Sequence, residues 1–163
     1  MCPSKFEELY RRHRAGSLPV GDFWKLAKDV ELHAETIDRL LRQEWEGQNW
    51  RMVQSLVVIA TFRPSGRYVD LLCRMLDELH PEVLHEDVAE LLFDIGDERS
   101  VPSLVRALQA ELPGDHFHGL NKKCIWALGK IGTNDAIRAI EACLCSEHEE
   151  IREAAKRELD IRR

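Results

Sequence analysis

Cysteine and histidine side chains that could bind a metal gather in the C-terminal part of this 163-residue chain. They are Cys143, Cys145 and His148, preceded by His116 and His118. A zinc site needs such ligands to converge at about 2.0 to 2.3 Å from the metal. On a helix, however, residues two apart point in different directions, so Cys143 and Cys145 do not converge. We therefore interpret Cys143 as a packed side chain and the others as solvated, and we expect no bound metal.

Other catalytic patterns are missing from the sequence. It contains no Gly-rich phosphate-binding loop, no Ser in a nucleophile elbow and no zinc-binding Cys pair with its partners. A Cys-His dyad would need a proximity in space that the sequence does not show. We therefore assign no catalytic residue, expect no cofactor, and favour a non-catalytic role over an enzymatic one.

Two stretches of the chain resemble each other, and the helices that they form would position any functional side chains. Residues 85–108 and 121–144 align without a gap at a spacing of 36. The matched positions are Leu92 with Leu128, Ile95 with Ile131, Gly96 with Gly132, Val101 with Ile137, Leu104 with Ile140 and Leu108 with Leu144. A fixed period in this range is typical of stacked repeats, because one helical hairpin cannot bury its apolar face without neighbours.

The remaining segments extend the same helical pattern into one predicted domain over residues 1–163. Divergent helices occupy 1–48, with a break near His33 and Asp22 as a candidate N-cap. A diverged repeat follows at 49–82, then clear repeats at 83–112 and 117–146, and a capping helix at 147–163. The predicted fold is all-α, a short α-solenoid of stacked antiparallel helix pairs.

Each clear repeat has an Ala- and Leu-bearing helix, then I-G-D or I-G-T, a short polar turn and an apolar helix. The residues are Ala89, Leu92, Ile95, Gly96, Asp97, Val101, Pro102 and Leu104, then Ala127, Leu128, Gly129, Ile131, Gly132, Ala136 and Ile137. This pattern resembles the HEAT-like repeats of the phycobilin-lyase type over about residues 49–163. The resemblance implies a HEAT-like or armadillo-type superhelix. It also implies an alternative function, in which a concave groove holds a linear tetrapyrrole.

Glycine and proline positions fit this repeat physically. Gly96 and Gly132 follow the last apolar residue of a helix, where a left-handed C-terminal cap favours a residue without a side chain. Pro102 falls in the first turn of the next helix, where its missing N–H has no cost. The same repeats serve lyases, hydroxylases, nucleic-acid enzymes and adaptors, so function must be argued from the site.

The pair His85-Glu86 raises a further alternative, a metal-dependent enzyme of the HEAT-repeat hydroxylase type. Deoxyhypusine hydroxylases hold a di-iron centre with His-Glu pairs that begin repeat helices, where the His stands ten residues before the turn glycine. His85 stands eleven before Gly96, and one residue corresponds to about 100° of helix. The equivalent positions of the next copy are Asn121 and Lys122. The pattern therefore disfavours this alternative.

Charge and cysteine content restrict the partners. The net charge is −6, and residues 51–100 hold five Lys/Arg against ten Asp/Glu. This excess of acidic residues disfavours a nucleic-acid partner, and it therefore also disfavours a helical-repeat nucleic-acid glycosylase. It fits a partner protein with a basic patch. Five cysteines and no signal segment favour a reducing cytoplasm. No apolar run exceeds five residues, against about 20 for a membrane span, so we expect no membrane partner.

The aligned repeats differ at outward positions, and these form the predicted binding surface. The partner-binding residues are Glu86, Glu90 and Asp94 in one copy, and Lys122, Trp126 and Lys130 in the next. They lie at four-residue steps, so each set forms a stripe along one helix face. Trp126 is not required by the core, and Trp is enriched in binding hot spots. Two interpretations of Trp126 remain open. It contacts a partner protein, or it packs under the loop 111–119.

Overall fold

A computed structural model describes residues 4–161 of the protein apart from 111, 114 and 116. Over these residues the chain is helical and contains no β-strand, which confirms the predicted all-α class. The helices are α1 Lys5–Arg14, α2 Val20–Ala27, α3 Ala34–Glu46, α4 Trp50–Thr61, α5 Val69–Glu78, α6 His85–Ile95, α7 Val101–Ala107, α8 Gly119–Ile131, α9 Asn134–Cys143 and α10 Glu149–Asp160. Short 3-10 turns, Gly66–Tyr68 and Glu98–Ser100, lead into α5 and α7.

The chain divides into two compact units, residues 1–67 and 68–163. The first unit contains α1 to α4, and its core includes Phe6, Phe23 and Ile37. The ring of His13 stacks on Phe23 with centroids 4.6 Å apart. Its two nitrogens bond the Leu18 carbonyl at 2.8 Å and a Ser hydroxyl on α4 at 2.9 Å, so this buried imidazole is fully partnered.

Helix ends in the first unit follow from local chemistry. Ser4 accepts a hydrogen bond from the Glu7 N–H, and the Glu7 carboxylate accepts one from the Ser4 N–H in return. Gly16 follows α1 with a φ of 80°. The prediction for Asp22 was wrong. Because α2 begins at Val20, Pro19 occupies the N-cap and Asp22 lies within the first turn.

The second unit stacks helices in two layers. Helices α6, α8 and α10 pack side by side in the first layer, and α5, α7 and α9 form the second. Equivalent helices run parallel, because Gly119 at the start of α8 lies against Glu86 at the start of α6, and Lys130 near its end reaches Asp94 near the end of α6. This is the stacked arrangement of helix pairs that the 36-residue period predicted.

The predicted helix caps of the second unit are confirmed. Gly96 and Gly132 adopt φ values of 67° and 69°, and each donates its N–H to a leucine carbonyl four residues earlier. Pro102 lies in the first turn of α7. The α5 helix ends in the same left-handed conformation without a glycine, at Leu79 with a φ of 46°.

Candidate functional site

The two predicted stripes lie side by side on the neighbouring helices α6 and α8. Glu86, Glu90 and Asp94 are exposed along α6. On α8, Trp126 and Lys130 are exposed and Lys122 is half-buried. The residues that differ between the repeats therefore share one surface, because the helices that carry them are packed in parallel. We call this set of six residues the α6/α8 stripe.

Lys130 is bound to the end of α6. Its Nζ donates a hydrogen bond of 2.9 Å to the Asp94 carbonyl oxygen and lies 4.7 Å from the centroid of the Phe93 ring. Its side-chain carbons also cover Gly96, the C-cap of α6. A cation in this position complements the partial negative charge of a helix C-terminus. Lys130 therefore has an intramolecular role within the repeat stack.

Lys123, which the sequence comparison did not select, joins the two stripes. Its Nζ lies 2.6 Å from a Glu90 carboxylate oxygen and 5.5 Å from the centroid of the Trp126 ring. It aligns with Asp87 in the sister copy, so alignment placed it outside the stripe. The cation pairs with Glu90 and lies near the indole, so Glu86 and Asp94 are the stripe carboxylates that it does not pair with.

Trp126 lines a cavity with residues of α10 and with no described residue of the loop 111–119. Its side chain is 41% exposed and faces the start of α10. It lines a cavity of about 330 Å³, and the other lining residues are Lys122, Glu149, Glu150, Glu153, Ala154 and Arg157. The structure thus places an exposed indole beside three carboxylates of α10.

A larger cavity of about 960 Å³ lies at the N-terminal ends of α6 and α8. We call it the loop groove, and its lining includes Leu79, Pro81, Val83, Leu84, His85, Glu86, Asp87, Leu112, Pro113, Asp115, Phe117, Gly119 and Lys122. Two stripe residues, Glu86 and Lys122, belong to it. The groove combines apolar side chains with three carboxylates and one amine.

His85 in this groove is only 4% exposed, and its Nε2 has no hydrogen-bond partner among the described residues. Burial lowers its pKa, with a smaller contribution from His80. The aligned Asn121 is also buried, but its side-chain amide donates to the Leu108 carbonyl at 2.9 Å. The same repeat position therefore carries a satisfied polar group in one copy and an unsatisfied nitrogen in the other.

Two large apolar residues at the groove escaped the sequence comparison. Leu84 is 59% exposed, although its repeat equivalent Leu120 is fully buried. The difference arises because α8 begins at Gly119, before Leu120, whereas α6 begins at His85, after Leu84. Phe117 is 75% exposed in the loop between the repeats and has no aligned counterpart. A shift in helix start of this kind leaves no pattern in the sequence.

The described candidate metal ligands do not gather into one group. Cys143 is half-buried and its thiol donates to the Ala139 carbonyl, while burial raises its pKa. Cys145 and His148 are exposed. The centroid of the His148 ring lies 4.0 Å from the centroid of the His118 ring. His116 lies outside the described residues. Among the residues that are described, no group of three or more His, Cys, Asp or Glu side chains could hold a metal ion.

The structural repeat has a counterpart in a known family. A family model described as HEAT repeats matches residues 69–160, which is more than half of the chain. The chain belongs to the HEAT repeat family. The match spans α5 to α10, and HEAT repeats are commonly protein-interaction modules. A search of curated proteins gave no match. Among the described residues of this HEAT repeat protein, no helix has the length and apolar character needed to cross a bilayer.

Proposed function

We propose that this HEAT repeat protein is a non-catalytic protein-protein interaction module, either an adaptor or an inhibitor of the immunity type, that binds its partner with the α6/α8 stripe. The observation that carries the proposal is the exposed Trp126. Its ring lies on an outward helix face where the sister repeat has Glu90. Exposed tryptophans with adjacent polar groups are typical anchors of protein interfaces.

The charge around this indole favours a partner with a basic patch. Lys123 is paired with Glu90, and Lys130 is directed to the end of α6. The carboxylates of Glu149, Glu150 and Glu153 line the cavity beside Trp126 against Lys122 and Arg157. The surface that remains for a partner is therefore acidic, and charge complementarity would raise the association rate with a basic protein.

Partner capture with paired variants tests this proposal. The immobilised protein is exposed to a lysate of its source cells, and the bound protein is identified and titrated against wild type, Trp126→Ala and Leu144→Ala. Leu144 is a matched control, because it is 42% exposed but lies outside the stripe. We expect Trp126→Ala to weaken binding by about tenfold or more, and Leu144→Ala to have no effect. Equal binding by both variants would reject this face.

A second pair of variants separates binding from folding. Lys130→Met removes a stripe charge but also a contact that holds α6 and α8 together. Melting curves must therefore accompany the double variant Trp126→Ala/Lys130→Met. Loss of capture by a double variant that melts near the wild-type temperature supports the stripe, and retained capture contradicts it.

A tetrapyrrole-binding role of the phycobilin-lyase type is the alternative proposal. The volume of the loop groove would admit such a ligand, but the groove contains Glu86, Asp87 and Asp115 against the single amine of Lys122. Linear tetrapyrroles carry carboxylates themselves, so this charge balance disfavours them. Co-expression with a bilin distinguishes the two: a visible absorption band on the purified protein would favour the alternative.

A further inference from the structure

We infer that the loop groove receives a short segment of the partner protein in which a large apolar side chain stands next to Lys or Arg. The inference rests on the proposed function, because it assumes a protein partner, and it names the part of that partner which the groove would recognise. It concerns a surface at the N-terminal ends of α6 and α8, beyond the Trp126 face.

The apolar lining supports an apolar occupant. Leu84 and Phe117 expose 59% and 75% of their surface at the groove, and the buried Val83 contributes to the same lining. One large aromatic side chain buries about 150 to 250 Å² on insertion, and a cavity of about 960 Å³ has room for one together with its backbone. Both side chains line the same cavity, so one apolar occupant would bury them together.

The stacking of the repeats leaves this surface uncovered. In the following repeat Leu120 is buried within α8, whereas the equivalent Leu84 precedes the first turn of α6. Asp115 keeps the loop beside the groove, since its carboxylate oxygens accept the N–H groups of Gly119 and Leu120 at 2.8 and 3.3 Å. The described residues therefore leave Leu84 accessible to an apolar side chain of a partner.

The charges of the groove select a cation beside the apolar side chain. Glu86 and Lys122 line the same groove, yet Glu86 forms no ion pair with Lys122 or with any other described residue. The Glu86 carboxylate rests against Gly119, and a larger residue at this position would displace it. Carboxylates outnumber amines in the groove lining, and the carboxylate of Glu86 in particular makes the groove complementary to Lys or Arg.

Selection of random peptides tests the inference while the partner is still unidentified. Peptides displayed on phage are selected on the immobilised full chain, and an enriched peptide is synthesised with a fluorophore for anisotropy titration. We expect enriched peptides to contain one large apolar residue adjacent to Lys or Arg. Failure to enrich any peptide, or enrichment of acidic or purely polar ones, would overturn the inference.

Groove variants then locate the bound peptide. We expect Phe117→Ser and Leu84→Ser each to weaken its affinity by about tenfold, and Glu86→Gln to weaken it less and to reduce its salt dependence. Ile161→Ser is the matched control, because Ile161 is 79% exposed on the same unit but distant in sequence from the groove, and it should leave the affinity unchanged.

The remaining outcomes separate this inference from the proposed function. A peptide weakened by Trp126→Ala but not by Phe117→Ser would place binding on the stripe, which rejects the groove and keeps the proposed function. A concentration-dependent dimer that Phe117→Ser dissolves would make a second copy of the chain the occupant and overturn the inference. If Phe117→Ser weakens peptide binding while Trp126→Ala leaves partner capture unchanged, the groove is supported as the binding site and the stripe is rejected.

Discussion

The side-chain amine of Lys130 and the backbone carbonyl of Asp94 form a 2.9 Å hydrogen bond between equivalent ends of consecutive repeats. The bond satisfies a carbonyl in the last turn of α6, which has few partners within its own helix. The same amine also contacts the Phe93 ring at 4.7 Å from its centroid. A residue that differs between the repeats thus contributes to their stacking as well as to the surface.

Replacing Lys130 by Met should lower the free energy of unfolding by about 0.5 to 1 kcal/mol, because both the helix-end charge and the cation–π contact are lost. Urea denaturation at low salt measures this difference. Lys156→Met serves as the control, since Lys156 is exposed on α10. Equal effects of the two substitutions would show that the Lys130 contacts contribute nothing to stability.

Gly129 inside α8 allows the close approach of α10. A Cβ at this position would lie 2.0 Å from a Glu158 carboxylate oxygen. Gly129→Ala should therefore gain little of the roughly 1 kcal/mol that alanine adds in a helix, because Glu158 must move. In a Glu158→Ala background the same substitution should stabilise by about 1 kcal/mol. A double-mutant cycle measures the difference, and additivity would contradict the proposed clash.

Asp77 links α5 to α7 and should make part of the stability acid-sensitive. It accepts two 2.9 Å hydrogen bonds from Arg106 and one from Ser103, and chiefly the Arg106 bonds lower its pKa below the ordinary 3.8. A lowered folded-state pKa stabilises the fold above the unfolded pKa, and this contribution is lost as the pH falls through the folded value.

Asp77→Asn should therefore cost about 0.5 to 1 kcal/mol at neutral pH, and the difference from wild type should shrink below about pH 4. Urea unfolding across the acid range measures it. Asp135→Asn is the control, because Asp135 forms only a 3.5 Å pair with an exposed arginine of the same helix. A constant difference at all pH values would refute the assigned role of the carboxylate charge.

His85 should make the fold sensitive to mild acid. Its pKa is lowered by burial, so the unfolded chain binds a proton more readily than the folded chain. The stabilising effect of the neutral ring is complete above the ordinary pKa of 6.5 and is lost as the pH falls below it. Asn at this position, as in Asn121 of the sister repeat, has no such titration.

The stability of wild type should therefore fall relative to His85→Asn between about pH 7 and pH 5. Melting temperatures of both proteins across this range provide the measurement. His33→Asn is a control with an exposed ring at the start of α3. If the wild type and His85→Asn keep the same stability difference at every pH, the buried ring does not titrate with unfolding.

The sequence predicts the repeat far better than it predicts the surface. Gly96 and Gly132 identify the helix ends because only a left-handed cap explains a glycine after each apolar run. The exposure of Leu84 was not predictable, since it depends on where α6 starts, which differs from α8. The contact between the His118 and His148 rings was missed as well, because it joins the starts of two helices separated by a third.

The pairing of Lys123 with Glu90 also fixes the order of the repeats. If a second copy of α8 were stacked on α8 in the same parallel arrangement, its Lys123 would meet Trp126 at the position of Glu90, and its Gly119 would meet Lys122 at the position of Glu86. The ion pair of Lys123 with Glu90 would be lost, and a lysine would replace the carboxylate that rests against Gly119. The contact surfaces of α6 and α8 are thus specific to this pair of helices. Lengthening the array by duplicating a repeat would require new charged residues at every added repeat interface.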